Sequence, residues 1–493
     1  MGLQPRRSLR ATHPASGKQR PALLGHAGGM TDLRRPPLGL SNSGHCALSG
    51  AVYRDGMTRS ALTALALPLI LLAAPAAAKL SAAEQAIAKS VDADQPWALA
   101  LLERLVNQNS GTRNIPGVIK VAEMVRPELE ALGFTVAWKP MDAVNRAGHI
   151  IATHKGRPGT TKILLIGHLD TVFEPSSPFQ HFSREGDVAK GPGVGDDKGG
   201  MVVMFTALRA MKAAGTLKDA NIEIVLTGDE ESSGEPVSVS RADLIAAGKR
   251  ADVALDFEGL SVIDGQDYGS IARRSANDYT VTATGKTAHS SGIFSPTVGD
   301  GAIYELVRII SRFRQELPEP NLTFNIGLIA GGATVAMSPD ESQARATGKV
   351  NIIPPIAIAR GDFRTLSPEQ TARVKAKMEA IIAAHAPQTN ATITFKEGYP
   401  PMPPTSGNQK LLAALNVINA DLGLPAMPAL DPLKRGAGDI SFVAADIDGL
   451  VGLGASSDGD HTPAEQVDLT SFPRQGKRAA IIMTRLSKEK ARK

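Results

Sequence analysis

Apolar residues recur at helical spacing at Trp97, Leu99, Leu102, Leu105 and Val106, and again over residues 118–132, after which Gly133 marks a stop. Extended segments are predicted next, at residues 134–138, 149–153 and 162–166. The last is an unbroken apolar run, the pattern of a strand covered on both faces. Residues 200–214 return to helical spacing, with Met201, Met204, Phe205, Leu208 and Met211 along one stripe and Gly215 beyond its end. Methionines in that setting read as core. Residues 222–227 and 253–257 are two further short apolar strands. Strands and helices thus alternate, which predicts an α/β fold with a mostly parallel, doubly wound sheet.

The rhythm changes after residue 270. Strand 279–284, helix 302–315, strand 322–329, strand 342–362, helix 368–384 and strand 391–396 give the order βαββαβ. This order predicts a smaller domain, 271–397, inserted between the two parts of the first, 79–270 and 398–493. The second of these helices carries a start signal: Ser367 can cap a free N–H, Pro368 suits the first turn and Gln370 can close a capping box. Tyr399-Pro400-Pro401-Met402-Pro403-Pro404 is a stiff linker back to the first domain.

Charge alters this picture only near the N-terminus. The 493 residues carry 54 Lys and Arg against 49 Asp and Glu, but residues 1–78 hold nine of the basic and two of the acidic side chains. The rest is close to neutral and offers no basic stripe for phosphate backbones, so no nucleic-acid partner is expected. Met57, Thr58 and Arg59 precede an apolar run over 61–74 and then Pro75-Ala76-Ala77-Ala78. A charged start, a short apolar stretch and an A-x-A site predict a signal peptide at 57–78, since a spanning helix needs about 20 apolar residues. A membrane-anchored N-terminus is the alternative. The protein is therefore expected to be exported, periplasmic or secreted. Residues 1–56, rich in Arg, Gly, Pro and Ser, are expected to be a non-native or disordered extension, with translation starting at Met57. The single cysteine, Cys46, falls in that stretch. Without it there is no disulfide and no thiolate nucleophile, and any metal site must be built from His, Asp and Glu.

Residues capable of such chemistry gather at the carboxyl ends of the predicted strands, where ligands of open α/β sheets bind. A buried strand runs into His168 and, two residues on, Asp170. The pair reads either as a turn or as a metal ligand with a carboxylate behind it to fix the tautomer. Asp196 and Asp197 are adjacent acids in the glycine-dense segment 191–200 at a helix start. They are either a capping pair or carboxylates held together by a cation. Asp229, Glu230 and Glu231 follow another apolar strand directly, as a solvated charge run or a second part of a site. Glu258 ends the next strand and His461 lies in a loop near the C-terminus; neither means much alone. In conjunction, two histidines, one aspartate able to bridge, two glutamate ligands and one spare glutamate have the composition of a dinuclear hydrolytic site suited to Zn²⁺.

These motifs, with the segment Gly285-Lys286-Thr287-Ala288-His289-Ser290-Ser291-Gly292, occur in an order that resembles the zinc-dependent exopeptidase family of glutamate carboxypeptidases, aminoacylases and succinyl-diaminopimelate desuccinylases. The resemblance spans nearly the whole of residues 79–493 and lies nearest the glutamate carboxypeptidase type. It implies a catalytic α/β domain with an inserted lid that dimerises. It also implies two Zn²⁺ per chain, with Co²⁺ or Mn²⁺ as substitutes: Asp196 would bridge, His168 and Glu258 would complete one site, and Glu231 and His461 the other. Glu230 would be the general base, drawing a proton from a water activated between the metals and passing it to the leaving amine. Asp170 would orient His168, and His289, from the lid or from a partner subunit, would stabilise the oxyanion. A cis peptide bond between Asp196 and Asp197 is implied as well.

Two lid residues fall where such relatives place polar groups against substrate: Asn351, equally a strand-end turn residue, and Arg364, equally a surface arginine. Arg364 is favoured as a carboxylate clamp because a planar guanidinium matches a carboxylate bidentately. Glutamate-selective relatives often carry an arginine just after the last lid strand, where this chain has Glu397-Gly398-Tyr399; Arg435 is the candidate to compensate. The expected activity is hydrolysis of a peptide or amide bond next to a C-terminal amino acid, as a carboxypeptidase-like enzyme acting on small peptides. The alternatives are an aminoacylase acting on N-acyl amino acids and a catalytically silent peptide-binding protein.

Overall fold

The computed structural model describes residues 80–492, so the expected extension at 1–56 and signal peptide at 57–78 lie outside the described residues. The chain opens with α1 (Ala82–Ala93), α2 (Gln95–Val106) and α3 (Ile115–Leu132). Helix α1 was not anticipated from the pattern, although Ser81 and Glu84 form a reciprocal capping box at its start. Gly133, at φ 98°, ends α3 in the left-handed region as its position suggested.

Strands β1 (Thr135–Met141), β2 (Arg146–His154), β3 (Lys162–His168), β4 (Asn221–Thr227) and β5 (Val253–Asp256) form one sheet in the order β1-β2-β4-β3-β5, closed by the short strand Asp448–Leu450. From β4 to the closing strand every pairing is parallel; β2 runs antiparallel to both β1 and β4. The unbroken apolar run of β3 has the reason its pattern suggested. Ile163 and Leu165 face the larger core with Met204 and Leu208 of α4 (Lys198–Ala213), while Leu164 and Ile166 face a second layer with Leu244, Ala247 and Val443. Helix α4 is buried along nearly its whole length because α1, α2 and the last helix, Ser471–Leu486, cover the side turned from the sheet.

The inserted segment has a core of its own. Strand β6 (Ala276–Gly285) lies between β8 (Ile356–Arg364) and β9 (Thr389–Tyr399), and β7 (Leu328–Gly332) extends the sheet beyond β8, all antiparallel. Helices α5 (Gly301–Glu316) and α6 (Pro368–Ala383) cover one face through Leu306, Ile309, Phe313, Val374 and Met378. The expected strand 342–362 is corrected to two pieces, Ala344–Thr347 in a hairpin with Thr334–Met337 and then β8, because Pro354 and Pro355 interrupt the ladder with no N–H to donate. No helix among the described residues is long and apolar enough to cross a membrane.

Candidate metal centre

Parallel pairing aligns His168 at the end of β3 with Thr227 at the end of β4, so His168, the turn Asp229–Glu230–Glu231 and Glu258 beyond β5 all leave the same edge of the sheet. The glycine-dense turn brings Asp196 to that edge. A Cβ on Gly200 would lie 2.0 Å from both the Phe257 carbonyl oxygen and Asp197 Oδ1, so the start of α4 reaches β5 only as glycine. Glu465, arriving from the far end of the chain, fixes the turn by accepting from the amides of Gly193, Gly195 and Asp196 at 2.9, 2.9 and 3.2 Å. The Asp196–Asp197 peptide bond is cis. Asp197 does not cap α4 with its side chain but accepts from the His168 amide at 3.2 Å.

His168, Asp196 and Glu231 each present a ligand atom within 4.8 Å of the others. Asp196 offers one oxygen to each imidazole: Oδ1 lies 2.9 Å from His168 Nε2 and Oδ2 lies 3.1 Å from His461 Nε2, which is also 3.2 Å from Glu231 Oε2. Glu258 lines the same cavity, but Arg273 at 2.5 Å and Arg435 at 3.3 Å hold its carboxylate outside this group. The donor set suits divalent cations. Both imidazoles aim nitrogen at carboxylate oxygens, and Glu231 Oε1 is buried with no hydrogen-bond partner.

The electrostatics show the same shortage of positive charge. Burial, reinforced by Asp196, pushes the Glu231 carboxyl up to about 7. Burial also raises Glu230 well above the carboxylate range; His168 offsets part of this, and Glu258, Asp439 and Glu231 add to it. Burial disfavours the charge on Asp196, but hydrogen bonds to His168 and His461 outweigh it and hold the carboxyl low. Hydrogen bonds to Asp196 and Glu231 push His461 up to about 11. The carboxylates thus favour positive charge between them, which is what a divalent cation supplies.

Asp170 does more than orient a ring. Its carbonyl lies 3.1 Å from His168 Nδ1, while its carboxylate accepts from Thr112 Oγ1 at 2.6 Å and from the amides of Glu230 and Glu231 at 3.0 and 3.2 Å. One buried acid therefore ties the end of β3 to the acidic turn. Glu230 lines a cavity of about 270 Å³ together with the acids Asp196, Glu258 and Asp460, with His461, and with the cations Arg273, Lys434 and Arg435.

Of the expected substrate residues, Arg435 lines that cavity. Arg364 pairs with Asp362 at 3.3 Å and reaches the loop at Gly436 on the cavity's rim. Asn351 and His289 are not brought to the cavity. Both are exposed on neighbouring turns of the inserted segment, joined by the amide of Ser290 donating to the Asn351 carbonyl, and His289 Nδ1 is engaged with Ser291. Sequence reasoning missed Arg273, Lys434 and Glu465. The Arg273-Arg274 pair just before β6 was a usable signal, being two charges beside the apolar stretch Ile271-Ala272.

Residues 164–485 match the family described as Peptidase family M20/M25/M40. The chain is 28% identical over 403 residues to Carboxypeptidase G2 of Pseudomonas sp. (strain RS-16), covering 79% of this chain and 89% of that one. Among solved structures, a tripeptidase from Staphylococcus aureus subsp. aureus Mu50 superposes with a TM-score of 0.62 at 19% identity, covering 80% of this chain and 99% of that one. A protein of Bacillus subtilis described as a dinuclear metal binding peptidase from the M20 family superposes with a TM-score of 0.56 at 16% identity, covering 80% and 99%.

Proposed function

Because the chain belongs to peptidase family M20/M25/M40 and is a hydrolytic enzyme of that metal-dependent family, we propose that it is an exported dizinc carboxypeptidase that releases a C-terminal amino acid from small peptides. The observation that carries this reading is the carboxylate of Asp196, which turns one oxygen toward each of two imidazoles. His168, Asp196, Glu231 and His461 would hold the ions, joined by Glu258 once its carboxylate turns from Arg273 and Arg435. Bound there, the metals would acidify a water and polarise the scissile carbonyl.

The chain's own groups supply the rest. Glu230, with its amide held by Asp170 and its side chain in the cavity, takes a proton from the attacking water and returns it to the departing amine. Arg435 and Lys434, with Arg364 at the rim, bind the substrate's free carboxylate. The lid reading makes the protein a homodimer in which His289 of one copy serves the oxyanion of the other. Support comes from an exposed apolar face on and around α5, formed by Phe294, Ile303, Tyr304, Val307 and Ile329. The apolar run over 61–74 supports export to the periplasm or beyond.

The test is metal content, sedimentation mass and amino-acid release from a panel of dipeptides, folate-like N-acyl glutamates and N-acetyl amino acids. Chelator-sensitive release from the dipeptides with about two zinc ions per chain is expected. Release from N-acetyl amino acids alone would make it an aminoacylase, and bound zinc without turnover would make it a binding protein.

A further inference from the structure

Tyr399 occupies the place where an arginine was sought as a carboxylate clamp, and its side chain points to a different task. It is the last residue of β9 and pairs with Ala276, the first of β6, so it stands where the inserted segment's entering and leaving strands meet. From there its hydroxyl reaches into the acidic turn, 2.6 Å from the Glu230 carbonyl, 2.8 Å from Arg241 Nη2 and 3.1 Å from Ser233 Oγ.

The donor inventory fixes the direction of these bonds. A guanidinium N–H only donates, so the phenol oxygen accepts from Arg241; a carbonyl only accepts, so the single phenol proton goes to Glu230; Ser233 then donates to the remaining lone pair. Arg241 itself is fully buried and spans Asp229 at 2.5 Å and Asp439 at 2.7 Å. The Tyr399 ring is backed by Phe442, centroid to centroid 5.0 Å.

We propose that Tyr399 is a positioning residue that pins the Glu230 peptide from the junction of the inserted segment, so that the end of β9 holds the base in register. This rests on the reading of Glu230 as general base. Asp170 holds the amide of Glu230 and Tyr399 its carbonyl, so both polar groups of that backbone unit are restrained and the side chain is left to face the cavity. Freed of one restraint, the turn has room to rotate, and displacements of about 1 Å at a reacting group cost on the order of 100-fold in rate.

The experiment compares zinc-loaded wild type with Y399F, which deletes one oxygen atom. The expected result is amide hydrogen exchange at least ~10-fold faster within residues 228–234 and unchanged in β6 and β9, with kcat ~10- to 100-fold lower and KM within about twofold. Zinc content stays at the wild-type value, and the melting temperature falls by no more than a few degrees, the loss expected for unpaired buried hydrogen-bond partners. Phe442→Leu, which loosens the ring but keeps the hydroxyl, gives a smaller fall in kcat with the same KM. Unchanged exchange in 228–234, or a kcat within twofold of wild type, would overturn the proposal. So would a Y399F chain that fails to fold or that exchanges faster throughout, since either assigns the residue a merely structural role. If wild-type protein hydrolyses nothing in the panel, the functional reading fails separately, and the exchange data still decide whether the tether exists.

Discussion

Glu230 and Glu231 are chain neighbours in different surroundings. Glu231 faces His461 at 3.2 Å and stands in the close group of donors with His168 and Asp196, while Glu230 faces the cavity outside that group. Glu230→Gln keeps shape and burial but has no basic oxygen. It is expected to lower kcat by about 10³ while zinc content and KM hold, as loss of a general base would; zinc analysis beside steady-state kinetics checks this, and a fall in metal content would reassign the residue to the ligand set. Arg435 faces a different fate in the same cavity. Its Nε is buried without a partner and its Nη2 leans on Glu258, so the guanidinium has capacity left for a substrate anion. Arg435→Ala is expected to raise KM about tenfold for substrates with a free carboxylate, equivalent to about 1.4 kcal/mol, and to leave an amidated peptide's KM unchanged.

At the scale of elements, the turn 191–200 shows how little spare room the centre has. Gly200→Ala sets a methyl against the Phe257 carbonyl, an obstacle of backbone that cannot rotate aside, and the helix start must withdraw from β5. A loss of about 1–3 kcal/mol in unfolding free energy is expected, with weakened zinc retention, measured by denaturant titration and metal analysis. The last helix, Ser471–Leu486, is tied down by charge: Arg485 meets Glu84 of α1 at 2.8 Å, and Arg478 and Arg474 meet Asp267 at 2.6 and 3.1 Å. Burial would raise both acids, yet their hydrogen bonds to these arginines lower them. An acid whose folded-state value is depressed stabilises the fold above its unfolded value, about 4. That contribution disappears as pH falls through the lower folded value. Stability is therefore expected to drop below about pH 4, and a D267N/E84Q double variant to show a flatter acid limb in urea titrations at successive pH values.

These elements also show what was legible. Strands β3 and β5 and the second half of β4 were readable because burial on two faces makes the run apolar without interruption, and helix α4 because Met201, Met204, Phe205, Leu208 and Met211 form one buried stripe. His168, Asp196 and Glu231, the three side chains that meet, could be singled out because His168 and Glu231 follow apolar strands and Asp196 lies just before a helix, whereas His461 sits in a loop that no local pattern marks. Helix α1 escaped because short Ala-rich segments carry a weak stripe, and its capping box was the stronger sign. Glu258's arginine partners and Tyr399's reach to Glu230 depend on contacts between segments far apart in the chain, which no local spacing encodes.

For the whole molecule, metal is expected to act on stability as well as rate. Ligands that bind only the folded chain stabilise it by mass action, about 4 kcal/mol at a thousandfold excess over Kd. Stripping zinc with a chelator should thus lower the melting temperature by several degrees and restoring it should reverse the change, read by calorimetry on the full chain. An unchanged melting temperature would mean that the cluster of acids and imidazoles holds no ion tightly.

Glu465 gives the assembled molecule one more property. The loop that presents Asp196 is clasped by a carboxylate some 270 positions downstream, and His461 arrives with it. A nascent chain emerging from the ribosome carries His168, Asp196 and the acidic turn long before either partner exists. The cluster around Asp196 is therefore expected to close only once nearly the whole polypeptide has been made.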